Sequence, residues 1–498
     1  MSEQATGTAD DTFEHSASFH AGEVSGNLQL TEYEVAYQKL FAEAIEDGVI
    51  TADERSRLEK AAESLGLDRA RIDQLELALK ASYEAHHGLE IVHADAASEA
   101  AAVASELTDE AVSGETVALK RRVAHLESLL IQMQEELKQA RAEVAIEVDL
   151  DGLDDDHLPV DDAEALQRRL THDPRNERTL HALYRTHEHH EATDRQWCTA
   201  HALVYLDAAN DAERVFYARH RKEGLIQPTQ SLDATGWQRH LFHPEEELLT
   251  GQIFASVVSA VLLGRVSALK KAKQLPELDP KNFQHPTAST IQAVRCFSWS
   301  ASILGMAPPP LYTDPSFAGA VEMVPGVPPA SRLGKQSLSG RKPEELAFLA
   351  GQHLACYREE RFVRQLFPDV AELQDLFLAA LLIANPALPL EGDAKKRVEP
   401  VAKAVESLLQ ANQIDRLRSA FARFVEQGGR TNLQRWMWAS DRTALRAGLL
   451  LCDDLAVAER MLEQQGAADR PELLDDLLVF CTSEDYATLR EHLGIAVG

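Results

Sequence analysis

The sequence lacks several features that would assign a chemistry directly. Its five cysteines are scattered and form no CxxC pair, which argues against a zinc ribbon or a dithiol redox site. It contains no GxxxxGK[ST] phosphate loop, no GxGxxG motif after a strand and no GxSxG nucleophile elbow. Aromatic residues make up 6% of the chain and form no basic, aromatic-rich patch. The sequence therefore predicts no common nucleotide or redox chemistry and no nucleic-acid partner.

Long apolar runs are also missing. The longest extends from Ile253 to Leu263, which is well short of the roughly 20 residues that span a bilayer, and it predicts a buried helix instead. The opening residues, MSEQATGTADDTFEH, have neither the basic nor the apolar region of a secretory signal. We expect a cytoplasmic protein without membrane insertion, whose cysteines are reduced and buried.

Basic residues are scarce in one part of the chain. Residues 1–165 contain 38 acidic and 12 basic side chains, and the remaining residues contain 42 and 38, which together give the net charge of −30. The first part is therefore unsuited to nucleic acid or anionic lipid, and an acidic linker is the simplest interpretation.

Length and composition indicate several mainly α-helical units. The 498 residues exceed the roughly 250 to 300 at which a single core stops growing. Long stretches rich in Ala, Glu, Leu and Arg favour helix over strand. For the first third we predict disordered residues 1–28, a small helical bundle at 29–90, a linker at 91–111, a coiled coil at 112–146 and an acidic linker at 147–162.

The turn between the first two predicted helices has two interpretations. Gly48, Ile50 and Glu54 occupy the glycine, apolar and final glutamate positions of an EF-hand loop. The first and third ligand positions fall on Glu43 and Ile45, so two oxygen ligands are displaced or missing. The segment also resembles TerB-like bacterial bundles, in which this turn is a helix stop followed by a capped helix. We favour the structural turn over a calcium site.

The clearest periodic pattern lies at 112–146. Apolar residues follow alternating spacings of four and three, as in the a/d seam of a left-handed coiled coil. Packing of a helix against its own bundle usually needs a wider apolar face than this seam provides, so we favour self-association over that alternative. The seam residues are Leu119, Val123, Leu126, Leu130, Met133, Leu137, Ala140 and Val144.

Paired helices are predicted after the acidic linker. The entry Asp173-Pro174-Arg175-Asn176 and the apolar spacing that follows resemble a tetratricopeptide unit and a half, within a helical region at 163–305. Because so few repeats are not stable alone, we expect this unit to pack against a neighbouring domain. Nearby His and Cys residues could suggest a metal site, but they have no HxxxH or CxxC frame and we interpret them as polar helix positions. They are His187, His189, His190, Cys198 and His201.

One constellation suggests catalysis. A Pro- and Gly-rich β-prone stretch precedes a helix that contains the segment GQHLAC. This order resembles the M48-type zinc peptidases, whose helix has the form GHELAH, and the resemblance covers roughly residues 310–465. We therefore predict a degenerate zincin-like and C-terminal helical domain with a small β-hairpin at 306–498. In that frame Gln352 and Cys356 replace the zinc histidines, His353 replaces the catalytic glutamate, and Asp441 replaces the third ligand.

The resemblance therefore implies a pseudoenzyme in which every catalytic position has changed. We predict a non-catalytic scaffold for protein–protein interaction, with no cofactor and no bound metal, and a homo-oligomer formed through 112–146. The alternative is an atypical zinc metallopeptidase of the M48 type that uses His353, Cys356 and Asp441, since residues three apart share a helix face.

Overall fold

The structure is a computed structural model, and it describes residues 32–45, 49–50, 52–65, 67, 69–87, 92–93 and 162–498. All of these except His93 belong to one compact unit formed by residues 1–92 and 159–498. The predicted disordered residues 1–28 and the predicted coiled coil at 112–146 lie outside the described residues. Helix is the dominant element, as the composition predicts.

The predicted N-terminal bundle contains three helices and a two-stranded sheet. A buried interior is formed by side chains such as Phe41, Leu58 and Leu75, and the third helix also packs against a long helix of the C-terminal part, α8 (Leu248–Lys271). The elements are α1 (Glu32–Ala44), β1 (Val49–Ile50), α2 (Ala52–Ser64), α3 (Arg69–His87) and β2 (Val92–His93), with β1 paired to β2.

Four short helices then form two successive hairpins. They are α4 (Ala163–His172), α5 (Glu177–His189), α6 (Thr193–Tyr205) and α7 (Asp211–His220). Side chains cap three of the four N-termini, because Asp162, Asn176 and Asn210 each accept a hydrogen bond from a backbone N–H of the first turn. The sequence pattern predicts helices at about 165–172, 177–190, 194–207 and 210–222, so the observed ends lie within about two residues of the predicted ones.

The rest of the chain consists of helices around a small sheet. The longer helices are α8 (Leu248–Lys271), α9 (Gln292–Ile303), α11 (Pro343–Ala355), α13 (Val370–Ala384), α14 (Gly392–Glu406), α15 (Ala411–Glu426), α16 (Leu433–Cys452), α17 (Leu455–Gln465), α18 (Arg470–Cys481) and α19 (Glu484–Leu493). The short ones are α10 (Lys335–Leu338) and α12 (Val363–Leu366), together with a π-helical turn, Gly236–Leu241.

The sheet is larger than the expected hairpin. It has four strands in the order β3-β4-β6-β5, which are β3 (Phe283–Gln284), β4 (Leu311–Asp314), β5 (Val321–Val324) and β6 (Ala330–Gly334). Only β5 and β6 form an antiparallel hairpin, whereas β4 runs parallel to β6 with Leu311 opposite Ser331. The local sequence pattern did not predict β3, because a two-residue strand has no periodicity to detect.

Helix α8 is the one helix of the described residues that is long and apolar enough to cross a membrane by length and composition alone. Of its most apolar window, 61% is buried inside the protein. It packs against α3, α13, α14 and α15. This environment fits the buried helix that the sequence predicted for Ile253–Leu263.

Candidate functional site

Helix α11 carries the candidate motif and crosses α16 at very short range. A Cβ atom at Gly351 would lie 2.6 Å from the carbonyl oxygen of Ala447, and one at Gly448 would lie 2.9 Å from the carbonyl oxygen of Phe348. Such distances leave no room for a side chain on either helix. The two glycines therefore allow backbone-to-backbone packing and fix how α11 sits on α16.

His353 faces the sheet. Its Nε2 lies 2.8 Å from Oγ of Ser331 on β6, and that Oγ lies 2.7 Å from the hydroxyl of Tyr357. The Tyr357 hydroxyl donates its only proton to the carbonyl oxygen of Ala330, at 2.8 Å. It must therefore accept from Ser331, which leaves Nε2 of His353 as the donor to Ser331.

These contacts place a proton on Nε2 of the imidazole. Burial lowers the pKa of His353 to about 3, because the charged ring would lose its hydration next to the aromatic rings of Phe297 and Tyr357. His353 therefore links α11 to the sheet through its hydrogen bond to Ser331.

Gln352 and Cys356 have other partners. The Gln352 side chain exchanges amide hydrogen bonds with Gln465 at the end of α17, the shorter of them 2.8 Å from Nε2 of Gln465 to Oε1 of Gln352. The Cys356 thiol donates to the carbonyl oxygen of Gln352 at 3.5 Å. Burial raises the pKa of Cys356 to about 11, so the group is a thiol at neutral pH.

Asp441 lies on α16 with its side chain 54% exposed. Its carboxylate pairs with Arg364 of α12 at 3.3 Å. Each of the four motif residues therefore has a different partner: strand β6 for His353, the end of α17 for Gln352, a backbone carbonyl for Cys356 and an arginine for Asp441. The described residues include no group of three or more His, Cys, Asp or Glu side chains arranged to hold a metal ion.

The histidines of the helical hairpins also separate. His201 is buried in the core, where Nε2 accepts from the backbone N–H of Leu455 at 3.2 Å and Nδ1 lies 3.7 Å from Sγ of Cys481. His187 is buried, and burial lowers its pKa to about 4. The remaining two, His189 and His190, lie at the end of α5 with their rings 5.6 Å apart.

The turn that resembles an EF-hand is only partly described. Ile45, at the third ligand position, is a core side chain with 1% exposure, and Ile50 is 3% exposed. The side chain of Glu43 and all of Gly48 lie outside the described residues. The choice of a structural turn over a calcium site stays a prediction.

Sequence reasoning missed a buried ion-pair cluster that joins the hairpins to the C-terminal helices. Arg490 of α19 is 1% exposed and binds the Asp194 carboxylate of α6 through Nε and Nη2, at 3.1 Å for the shortest contacts. It also pairs with Asp453 and lies over the ring of Trp197, 4.3 Å from its centroid. The backbone N–H of Val497 donates to Asp194 at 2.8 Å. No local pattern could have found a pair separated by 296 residues.

A second buried ion-pair cluster connects the segment before α8 with α16 and with the segment between α11 and α12. Arg361 donates to Glu246 at 2.6 Å, and Thr443 of α16 donates to the same carboxylate. Arg361 also lies over the ring of Phe242, 4.1 Å from its centroid. The buried charges of Arg361 and Glu246 therefore compensate each other, as burial requires.

Comparison of the chain with protein-family models, curated proteins and solved structures finds no match. The resemblances to tetratricopeptide, TerB-like and M48-type proteins therefore rest on the sequence motifs alone.

Proposed function

We propose that the chain is a non-catalytic scaffold for protein–protein interaction that retains the helix of a zinc peptidase without its chemistry. The observation that carries this proposal is that the four motif residues each bind a different partner. They are Gln352, His353, Cys356 and Asp441. Hydrolysis by a zinc peptidase needs a metal-bound water whose pKa is lowered to about 7, with a base beside it. Neither can be built from side chains that already bond elsewhere.

The alternative, an atypical zinc peptidase, requires a large rearrangement of the same residues. His353 would have to leave Ser331, and Cys356 would have to lose its proton inside a buried environment that raises its pKa. Asp441 would have to leave Arg364. Each loss removes a hydrogen bond or an ion pair, which makes this alternative the weaker proposal.

The helical hairpins support a binding role. Helix α6 contacts α17, α18 and α19, so the short tetratricopeptide-like unit has the neighbouring support that it would need. The exposed surface of the four-helix unit α4–α7 includes Val215 on α7, whose side chain is 58% exposed. A short repeat unit fixed on a larger helical body offers a rigid surface to another protein, which costs less entropy on binding than a flexible one.

We also propose that the scaffold self-associates through 112–146. The support is the a/d seam, whose narrow apolar stripe needs a partner helix. Light scattering coupled to size-exclusion chromatography should report a dimer or a larger species for the full chain. The variant with Leu126→Asp and Leu130→Asp should elute as a monomer of 55.0 kDa. A monomeric parent chain, or an unchanged mass in the variant, would refute the self-association.

Catalysis is tested by turnover. Casein or quenched peptides should not be cleaved by the parent chain, with or without added zinc. Activity should also stay absent in each of the single variants Gln352→His, His353→Glu and Cys356→His, because one ligand does not make a site. Cleavage by the parent chain that a chelator abolishes would establish the peptidase alternative.

A further inference from the structure

The segment between α11 and α12, residues 356–362, carries four charged residues in a row, Arg358-Glu359-Glu360-Arg361. Arg361 is paired with Glu246, and Arg358 is paired with Glu360 at 2.9 Å. Each arginine of the segment is therefore already neutralised by one carboxylate. Glu359 is left as the carboxyl group in excess.

The pair of Arg358 with Glu360 is fixed in place by its surroundings. The two side chains are 4% and 15% exposed, and the Arg358 guanidinium lies over the ring of Trp237, 4.8 Å from its centroid. Glu360 packs against the start of α8, where its Cβ lies 3.1 Å from the position that a Cβ of Gly251 would take. Arg358 is therefore held toward Glu360 and the aromatic ring, and it makes no ion pair with Glu359.

Glu359 is partly buried, and it forms no hydrogen bond or ion pair with any residue that the structure describes. Three charged groups act on its carboxyl group from nearby. They are Glu360 and Arg358 of its own segment, and Arg416 on the exposed side of α15. The carboxyl group thus lies next to a like charge, without a donor of its own.

This arrangement favours the protonated carboxyl group. Partial burial removes water from the charged form, and the neighbouring carboxylate of Glu360 repels it. These two effects outweigh the attraction of Arg416 and Arg358, and they raise the pKa of Glu359 to about 7. Glu359 therefore changes charge close to neutral pH.

We propose that Glu359 is a proton-operated switch in the segment that joins α11 to α12. Below neutral pH the carboxyl group is protonated, and the segment packs beside α8 and α15 without like-charge repulsion. Above neutral pH the carboxylate is repelled by Glu360 and attracted by Arg416, so the segment is held less tightly. The switch uses none of the motif residues, and it is independent of the proposed scaffold function.

The sign of the effect follows from the two states. An unfolded glutamate has a pKa of about 4.3, so the folded chain binds more protons than the unfolded chain between this value and about 7. The contribution of Glu359 to stability is fully present below about pH 4.3 and is lost as the pH rises through 7. From pH 6 to pH 8.5 it should raise the unfolding equilibrium constant about tenfold.

The test is urea unfolding of the full chain at a series of pH values from 6 to 8.5. Buried histidines change stability in the opposite direction, so the measured quantity is the unfolding constant of the parent divided by that of Glu359→Gln. Glutamine has nearly the same shape and does not titrate. This ratio should rise about tenfold across the series and level off above pH 7. The control, Glu406→Gln, replaces an exposed carboxylate on α14 and should give a constant ratio.

A second variant, Arg416→Gln, changes an exposed side chain and leaves Glu359 in place. Loss of this positive charge should move the pH at which the ratio to Glu359→Gln levels off to a higher value. A parent ratio that stays within about twofold from pH 6 to pH 8.5 would overturn the proposal. So would an equal rise for Glu406→Gln, or an unchanged or lower levelling pH in Arg416→Gln.

Discussion

Lowering the pH from 7 to 5 should weaken the fold through His353. The folded chain holds this imidazole neutral with a pKa of about 3, whereas an unfolded histidine has a pKa of about 6.5. Between these two values the unfolded chain binds more protons than the folded one. The contribution of neutral His353 to stability is therefore fully present above pH 6.5, and it decreases as the pH falls below this value.

The magnitude follows from the same two pKa values. Each pH unit between them costs about 1.4 kcal/mol, so the step from pH 7 to pH 5 removes about 2 kcal/mol from the free energy of unfolding. His353 is only partly buried, which makes this figure an upper value. His187 adds to the loss for the same reason, because burial lowers its pKa to about 4.

The contribution of His353 can be isolated with His353→Gln. Glutamine keeps an N–H near the position of Nε2, so it can still donate to Ser331, but it does not titrate. Urea unfolding should be followed by tryptophan fluorescence, since all five tryptophans lie between residues 197 and 438. His353→Gln should lose about 2 kcal/mol less than the parent chain between pH 7 and pH 5.

The control is His172→Gln, which changes an exposed histidine at the end of α4 and should leave the pH dependence unchanged. The reasoning fails if His353→Gln and the parent chain lose the same stability between the two pH values. It fails equally if His172→Gln reduces the loss as much as His353→Gln does.

Two further substitutions test the packing. Gly351→Ala should destabilise the chain by about 1 to 3 kcal/mol in urea unfolding, because the new Cβ would meet the backbone of α16. As a control, Gly264→Ala in α8 should be neutral or stabilising, because the nearest atom to its new Cβ lies at 3.6 Å. A Gly351→Ala variant as stable as the parent chain would contradict the close helix crossing. Arg490→Met should lower the free energy of unfolding by about 3 to 5 kcal/mol, because it leaves the buried Asp194 carboxylate without its partner. As a control, Lys396→Ala breaks an ion pair whose side chains are 79% and 85% exposed, and it should change stability by less than about 0.5 kcal/mol. Equal effects of these two changes would show that burial of the Arg490 pair has no energetic role.

Local signals predicted the helices well. The Asp-Pro turn at 173–174 separates α4 from α5, as the sequence predicts. The apolar residues from Ile253 to Leu263 form part of a buried helix, as expected. These features depend on residues a few positions apart, which is the range over which a sequence pattern carries information.

Long-range features could not be predicted in this way. The parallel pairing of β4 with β6 and the bond between His353 and Ser331 connect segments about 20 residues apart, with nothing in the local pattern to pair them. The buried pair of Arg490 with Asp194 spans 296 residues. The motif residues were located from the sequence by resemblance, but their partners became visible only in the folded chain.

The same limit applies to the candidate site. The resemblance to the zinc-peptidase motif places Gln352, His353 and Cys356 at its ligand and glutamate positions, and it predicts that zinc chemistry is absent. What the sequence does not provide is the role of the replacements. The structure assigns His353 to a hydrogen-bonded chain with Ser331 and Tyr357, and it assigns Gln352 to a pair with Gln465.

The metal content of the purified full chain tests the central claim most directly. The protein should be prepared without chelators and without added metal, and its zinc should be measured by inductively coupled plasma mass spectrometry. A non-catalytic scaffold should contain far less than one zinc per chain, and Cys356→Ala should not change that value. One zinc per chain in the parent protein, lost in Cys356→Ala, would contradict the account and support the peptidase alternative.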